Sequence, residues 1–475
     1  MATTPGRPVR RPWEQVLRVP LAPPEKVAIE RYRPPKPPAR GPVLLALGFA
    51  VTILVGSLLL SLPIANREGV ITPYVTALFT ATSAVCVTGL VVVDTGTYWS
   101  PFGQAVILGL IQVGGLGFMT SSTILLLLIG RRVSLRERIL LREAHGVTPL
   151  GGILRLTRQV VLMTLIIEGI GATILFLRFL FEFPPDRALW MGVFHFVSAF
   201  NNAGFDLFGG FRSLTIYNQD PVVILTIAFG IILGGISFTV ILDTTRQRSF
   251  RNLLLDTKMV LVTTAALLLV GTLTILVMEY DNPATLGPMD LPTKLLNAFF
   301  AAVTPRTAGY NSISVAEMTK SGLFLTIALM YIGAASGSTG GGIKVNTFAV
   351  LTAAVISSIR GRSEATAFGR ELPQDFVYKA LTVALLALGL VFGVTLVLSL
   401  WEPFQLLQLL FEATSAFGTV GLTMGITPNL SLGGKLLIAA TMYVGRVGPL
   451  TVALALAQIE KPVRYRYPEG RIKIG

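Results

Sequence analysis

The chain has 475 residues, 52% of them hydrophobic and only 13% charged, with a mean hydropathy of +0.69. Soluble domains carry about 25% charged residues, so the composition excludes an ordinary soluble enzyme and points to an integral membrane protein. The net charge of +14 does not signal nucleic acid, because 29 of the 39 Lys and Arg fall in five segments, 1–40, 130–158, 244–258, 360–379 and 459–475, separated by apolar stretches. An even number of crossings between them puts all five on one side, the positive-inside pattern, where they also meet anionic lipid.

Residues 1–40 hold ten prolines and nine basic residues, a cytoplasmic arm too broken by proline for one long helix. It is not a signal peptide, because the first apolar run begins after Pro42 and is long enough to span. From there the chain reads as four units of one layout. The unit at 41–130 has a long apolar run (42–64), a short one (73–83), the stretch AVCVTGL (84–90) and a second long run (101–129). The unit at 131–245 repeats this with 157–181, 187–199, AFNNAGF (199–205) and 221–242. In 246–360 the pieces are 257–279, 292–303, TPRTAGY (304–310) and 321–359. In 361–458 they are 377–401, 403–416, AFGTVGL (416–422) and 434–458, followed by a basic tail at 459–475. The short runs cannot cross a bilayer and suit re-entrant helices. The prediction is an all-α integral membrane protein: eight transmembrane helices plus four re-entrant pore helices around a central ion pore. It is multi-pass, lies in the cell membrane and has both termini cytoplasmic.

The repeat is in register. The four stretches align on Gly89, Gly204, Gly309 and Gly421, and a second small-residue motif follows each at Gly114, Gly234, Gly333 and Gly445. Non-helical backbone at membrane depth is allowed only where protein buries it or a wet cavity receives it. Four re-entrant loops around a pseudo-fourfold axis supply that cavity. The first set of glycines is therefore read as pore loops, and the second mainly as close packing of helices.

A potassium ion entering the bilayer must exchange its hydration shell for comparable oxygens. Backbone carbonyls can supply them where glycine lets the chain turn them inward. The loops carry no ring of acidic side chains, so carbonyls are the ligands present in the right number. The candidate filter is Val87, Thr88 and Gly89; Asn202, Ala203 and Gly204; Thr307, Ala308 and Gly309; and Thr419, Val420 and Gly421. Asp94 and Asp206 follow two of the loops, where they either concentrate cations or are simply solvated. Cys86 is the only cysteine, so no internal disulfide is possible.

The stretches SAVCVTGLVVVDTG, QVGGLGFMT, SAFNNAGFD, TPRTAGYNS, GSTGGGIK and SAFGTVGLT make the chain similar to the superfamily of potassium transporters that includes bacterial Trk and Ktr and plant HKT proteins. Over about residues 41–475 it looks most like the membrane subunit of Ktr systems. The resemblance implies a potassium-selective filter at the four loops, with K+ at their backbone carbonyls. Related plant proteins with serine at the first glycine prefer sodium, and glycine at all four positions here implies potassium. It further implies a homodimer with one pore per protomer and a contribution from the C-terminal PVRYRYPEGRIKIG to the dimer interface. A cytosolic ring of RCK/KTN-type regulatory subunits is expected, binding ATP or ADP, with Na+ as a possible stimulator. No nucleotide motif occurs in this chain, so no cofactor is expected on it.

Within 321–359, YIGAASGSTGGGIKVNT is Gly, Ala, Ser or Thr from Gly333 to Gly342. Each glycine costs a helix about 1 kcal/mol relative to alanine, so the run should break the helix into halves joined at mid-membrane. It is not a nucleotide-binding phosphate loop, since Ile343 precedes Lys344 and no strand comes before it. In KLLIAATMYVGRVGPLTVALALAQ, Arg446 sits near the centre, where a charge is penalised by roughly 2.5–3.5 kcal/mol. Its register partners are Gly115, Gly235 and Ala334, so it should face a wet cavity below the filter. The resemblance implies that Arg446 and the loop Gly337, Ser338, Thr339, Gly340, Gly341, Gly342, with Lys344, form an intramembrane gate; the competing reading is a static arginine satisfying loop carbonyls. Glu168 and Glu412 are expected to bond neighbouring backbone, and His195 to be packed. Two rival functions remain. A broken-helix secondary transporter, with Arg446 binding an anionic substrate, predicts an inverted repeat. An enzyme would need a catalytic cluster, which the sequence does not offer.

Overall fold

The computed structural model describes residues 41–117 and 153–448, with side chains from 46 in the first segment and from 157 in the second. The proline-rich arm, most of the basic segment after the first unit, the end of the fourth unit and the C-terminal tail lie outside the described residues.

Each unit opens with a long helix: α1 Gly41–Ser61, α4 Ile153–Phe179, α8 Leu255–Glu279 and α12 Gln374–Trp401. Stretches of the last three are continuous and apolar enough to cross a membrane. Their Leu and Val side chains stand outward, with Val277 77% and Leu400 75% exposed, the apolar surface that a membrane-spanning helix presents. The short runs form α2 Tyr74–Val85, α5 Pro185–Phe200, α9 Leu291–Val303 and α13 Leu406–Gly418. These are buried at their C-terminal ends, which point at the glycine stretches.

The second long runs are not continuous helices. In the first unit α3 (Pro101–Leu116) stops at Gly117, whose φ is +81°. In the second, α6 (Pro221–Gly235) bends by 95° into α7 (Phe238–Gln247). In the third, α10 (Lys320–Tyr331) and α11 (Val345–Ile359) flank the Gly/Ser loop as predicted. In the fourth, α14 (Leu432–Val447) stops at Gly448, with φ +95°. The break predicted for one unit is thus present at the matching place in all four. A left-handed glycine ends a helix whatever the hydropathy of the residues beyond it, which is why an unbroken apolar run concealed it.

The starts of these helices are also repeated. Ser100, Asp220, Thr319 and Ser431 each accept a hydrogen bond from a first-turn N–H, satisfying donors that a helix end leaves open. In the last two units a buried carboxyl reaches this cap. Glu402 accepts from Ser431 N and Oγ. Glu279 accepts from Asn282 Nδ2 (2.7 Å), Thr285 Oγ1 (2.8 Å), Thr319 N (2.9 Å) and Thr319 Oγ1 (2.7 Å). Glu279→Ala leaves those donors without an acceptor around a buried position, so a loss of roughly 3 kcal/mol is expected. Thermal unfolding of the detergent-solubilised protein should show it as a lowered midpoint; an unchanged midpoint would remove Glu279 as an anchor.

The second-set glycines are packing positions. A Cβ on Gly114, Gly234 or Gly445 would overlap the carbonyl oxygen of Val85, Phe200 or Phe417, near the end of the pore helix of the same unit. The second helix of each unit in turn packs on the pore helix of the next: α3 on α5, α6 on α9, α10 on α13, and α14 back on α2. The four units therefore close into a ring in chain order.

Candidate functional site

At the centre of the ring the four glycine stretches share one backbone form. Val87, Asn202, Thr307 and Thr419 have φ of 50°, 57°, 75° and 49°, and Gly89, Gly204, Gly309 and Gly421 have 91°, 71°, 79° and 94°. Left-handed residues alternating with a residue of the opposite hand turn successive peptide planes alike, N–H groups to one face and carbonyls to the other. The N–H groups point back at the pore helices. Thr88 N and Gly89 N donate to Ser83 O (2.8 Å) and Oγ (3.0 Å), and Val420 N and Gly421 N donate to Ser415 O (2.8 Å) and Oγ (3.1 Å). Ala203 N donates to Ser198 O and Ala308 N to Thr304 O.

The loops touch in a closed cycle. A Cβ on Gly89 would lie 2.5 Å from Ala203 O; on Gly204, 2.6 Å from Ala308 O; on Gly309, 2.5 Å from Val420 O; on Gly421 it would overlap Thr88 O. Each glycine is required twice, by its backbone angle and by the next loop's carbonyl. All twelve candidate filter residues are thus brought together, in unit order.

The polar side chains behind this layer were only partly foreseen. Ser198 Oγ donates to Phe205 O (2.9 Å), Thr304 Oγ1 to Tyr310 O, and Tyr310 OH to Phe205 O (2.8 Å). His195 is packed, as expected, and also bonded: Nδ1 is 2.7 Å from Met191 O and Nε2 accepts from Leu207 N at 3.0 Å. Those partners fix the tautomer with the proton on Nδ1. Glu168 and Glu412 bond side chains, not the backbone expected for them. Glu168 accepts from Gln112 Nε2 and Asn201 Nδ2, and Glu412 from the Thr423 and Thr427 hydroxyls. Arg306, in the third loop, is 6% exposed with no acidic partner among the described residues and only Thr264 Oγ1 at 3.4 Å. The missed residues had one legible signal: a serine or threonine five or six positions before every aligned glycine.

On the face of the ring toward the helix breaks lies the Gly/Ser loop. Its Ser336–Ser338 limb is accessible, whereas Thr339, Gly340, Gly341 and Gly342 are buried directly against the candidate filter layer. Gly337 and Gly342 take φ of 73° and 63°. Thr339 donates to Gly234 O through N (3.1 Å) and Oγ1 (2.9 Å), and Ala335 N donates to Gly235 O (3.0 Å). Lys344 Nζ donates to Gly340 O within the loop (2.6 Å). Arg446 donates from Nη1 to Thr339 O and from Nη2 to Gly114 O, with Gly115 O at 3.4 Å. Its face lies 6.0 Å from the Phe49 ring centroid. The arginine, the loop and its register partner Gly115 therefore meet as expected. The reason is local: where α3 and α6 stop at mid-membrane their last carbonyls need donors, and Arg446 and Thr339 supply them.

Comparison with known proteins identifies the family. The family model TrkH, described as a cation transport protein, matches residues 55–465. The Ktr system potassium uptake protein B of Bacillus subtilis is 44% identical over 91% of this chain and 96% of its own. The potassium/sodium uptake protein NtpJ of Enterococcus hirae is 41% identical with the same coverage. Among solved structures, the potassium transporter TrkH from Vibrio parahaemolyticus superposes with a TM-score of 0.69 over 88% of this chain and 84% of that one, at 18% identity, and so shares its fold. By sequence over most of its length, the chain belongs to the TrkH family of cation transport proteins.

Proposed function

We propose that this chain is the potassium-conducting membrane subunit of a Ktr-type uptake system. The carrying observation is the closed cycle in which each loop glycine abuts the carbonyl of the next loop. Such a ring offers neutral oxygens in fixed positions to a dehydrated monovalent cation. Potassium is favoured over sodium by glycine at all four positions and by the names of the relatives; the name of the Enterococcus relative makes sodium the competitor to test. The gate is the buried Thr339–Gly342 stretch held by Arg446. The rival with Arg446 as a substrate-anion ligand predicts two inverted halves, and four units in cyclic order disfavour it.

The positive-inside charge supports cytoplasmic termini in the cell membrane, which puts Asp94 and Asp206 on the outer side. A homodimer and a cytosolic nucleotide-binding ring that carries ATP or ADP belong to the same proposal, supported by the family resemblance alone. The test is flux of potassium against sodium into liposomes containing the purified protein. Saturable, potassium-selective flux is expected; equal flux of both ions, or transport of an anion, would overturn the assignment.

At the outer mouth, Asp206 follows Gly204 by two residues and Asp94 accepts from Phe211 N at 2.8 Å. Burial, then the nearby Asp94 charge, pushes the Asp206 carboxyl up to about 7, against a hydrogen bond from Phe208 N that lowers it. Above pH 7 Asp206 is ionised and attracts cations; as pH falls through 7 it takes a proton and that attraction is lost. The potassium half-saturation concentration should therefore rise between pH 8 and pH 6, and Asp206→Asn should flatten the profile. A wild-type profile that is already flat would sink this.

A further inference from the structure

Gly340 and Gly341 differ from the other glycines of the loop. Gly337 and Gly342 are left-handed, a conformation that accounts for glycine there. Gly340 and Gly341 are not, and what requires glycine is space. A Cβ on Gly340 would overlap Thr307 Oγ1, lie 2.5 Å from Ala334 Cβ and 3.3 Å from the Asn202 amide. A Cβ on Gly341 would overlap Thr419 Oγ1 and lie 2.9 Å from its Cγ2. Consecutive Cα atoms are about 3.8 Å apart, so three side chains from three units converge on one dipeptide.

These are the side chains of the first left-handed residue of each loop, distinct from the backbone carbonyls of the filter. With the Asn202 nitrogen donating to Ala199 O and Ile231 O, its oxygen accepts from Thr307 Oγ1 at 3.1 Å. Thr419 Oγ1 is fully buried and has no hydrogen-bond partner among the described residues. An unmet buried hydroxyl is costly, and this one is aimed at a glycine that can offer it nothing. The fourth position is Val87, equally buried and apolar.

We propose that Asn202, Thr307 and Thr419 form a side-chain site for a monovalent cation beneath the carbonyl ring, and that Gly340–Gly341 occupies it when the loop is seated. Loop and ion then compete for the same oxygens. The donor set is neutral, which suits an alkali cation and not a divalent one, whose sites are built on carboxylates. The energetic logic is one-sided: seating the loop leaves Thr419 without a partner, and an arriving ion or its water supplies one. Permeating potassium is thereby a ligand for the unseated loop, and the pore acquires a dependence on inner potassium without any charged sensor.

The inference rests on the proposed potassium transport, so the test begins from a variant with the loop displaced. Gly341→Ala in liposomes is expected to raise potassium flux severalfold, because its methyl cannot fit against Thr419. In that background Thr419→Val should raise the half-saturation concentration for potassium at the inner face at least threefold. Thr419→Ser, which restores the oxygen, should bring the half-saturation back. An unchanged half-saturation in Gly341→Ala/Thr419→Val with selective flux intact overturns the site and leaves the transporter standing. Gly341→Ala with wild-type flux overturns the seat. Loss of potassium preference in Gly341→Ala itself overturns the transport reading, and the site with it.

Discussion

Gly421→Ala is expected to lower potassium flux at least tenfold and to collapse the preference for potassium over sodium. Gly421 stands at φ +94°, where a Cβ costs roughly 1–2 kcal/mol before any neighbour is considered. Its methyl would overlap Thr88 O and lie 3.1 Å from Gly89 Cα. Both are backbone, so no side chain can rotate away; the fourth loop must retreat from the first and the ring must open. Carbonyls that replace a hydration shell work only at a fixed reach, and a displaced quadrant loses the ion it was shaped for. Gly109 is the control, since a Cβ there meets nothing within 4 Å and alanine favours its helix. Liposome flux of both ions is the readout. Gly421→Ala with wild-type selectivity would show that the glycine cycle is packing and not a filter.

The second large effect belongs to Arg446. By Coulomb's law alone, a fixed charge costs a cation that passes within about 8 Å of it roughly 2 kcal/mol at an effective dielectric of about 20. The proposed gate puts Arg446 beside the path, and each ~1.4 kcal/mol removed from a barrier is tenfold in rate. Arg446→Ala should therefore raise potassium flux by about tenfold or more, provided the pore stays folded. Arg446→Lys separates the two readings of this residue, because it keeps the charge but loses the two-armed guanidinium that donates to both Gly114 O and Thr339 O. If Lys conducts like Arg, the charge is the barrier; if Lys conducts like Ala, the residue is a brace.

Much of this architecture was legible in the sequence. The four glycine stretches, the pore helices and the meeting of Arg446 with the Gly/Ser loop all follow from spacing, because a repeat fixes register without knowledge of packing. The helix breaks in the first, second and fourth units did not. Gly117 and Gly448 sit inside unbroken apolar runs, and only their left-handed backbone reveals them as ends. Glu279 and Glu402 were equally hidden, since a carboxyl at the end of an apolar run looks solvated until the cap it serves folds over it. For Arg306 we find no structural reason, in sequence or in packing, for a buried guanidinium.

The helix ends at mid-membrane carry one more consequence. The donors that satisfy the last carbonyls of α3 and α6 are the same groups to which the proposed gate assigns the plugging of the path. Withdrawing Arg446 or Thr339 removes those donors, and nothing apolar can replace them. Only solvent can. Under the proposed gate, opening and wetting are a single event: a vacated path that stayed dry would carry bare helix ends, so it would fill as it forms. The work of opening is set by how readily water follows the loop out.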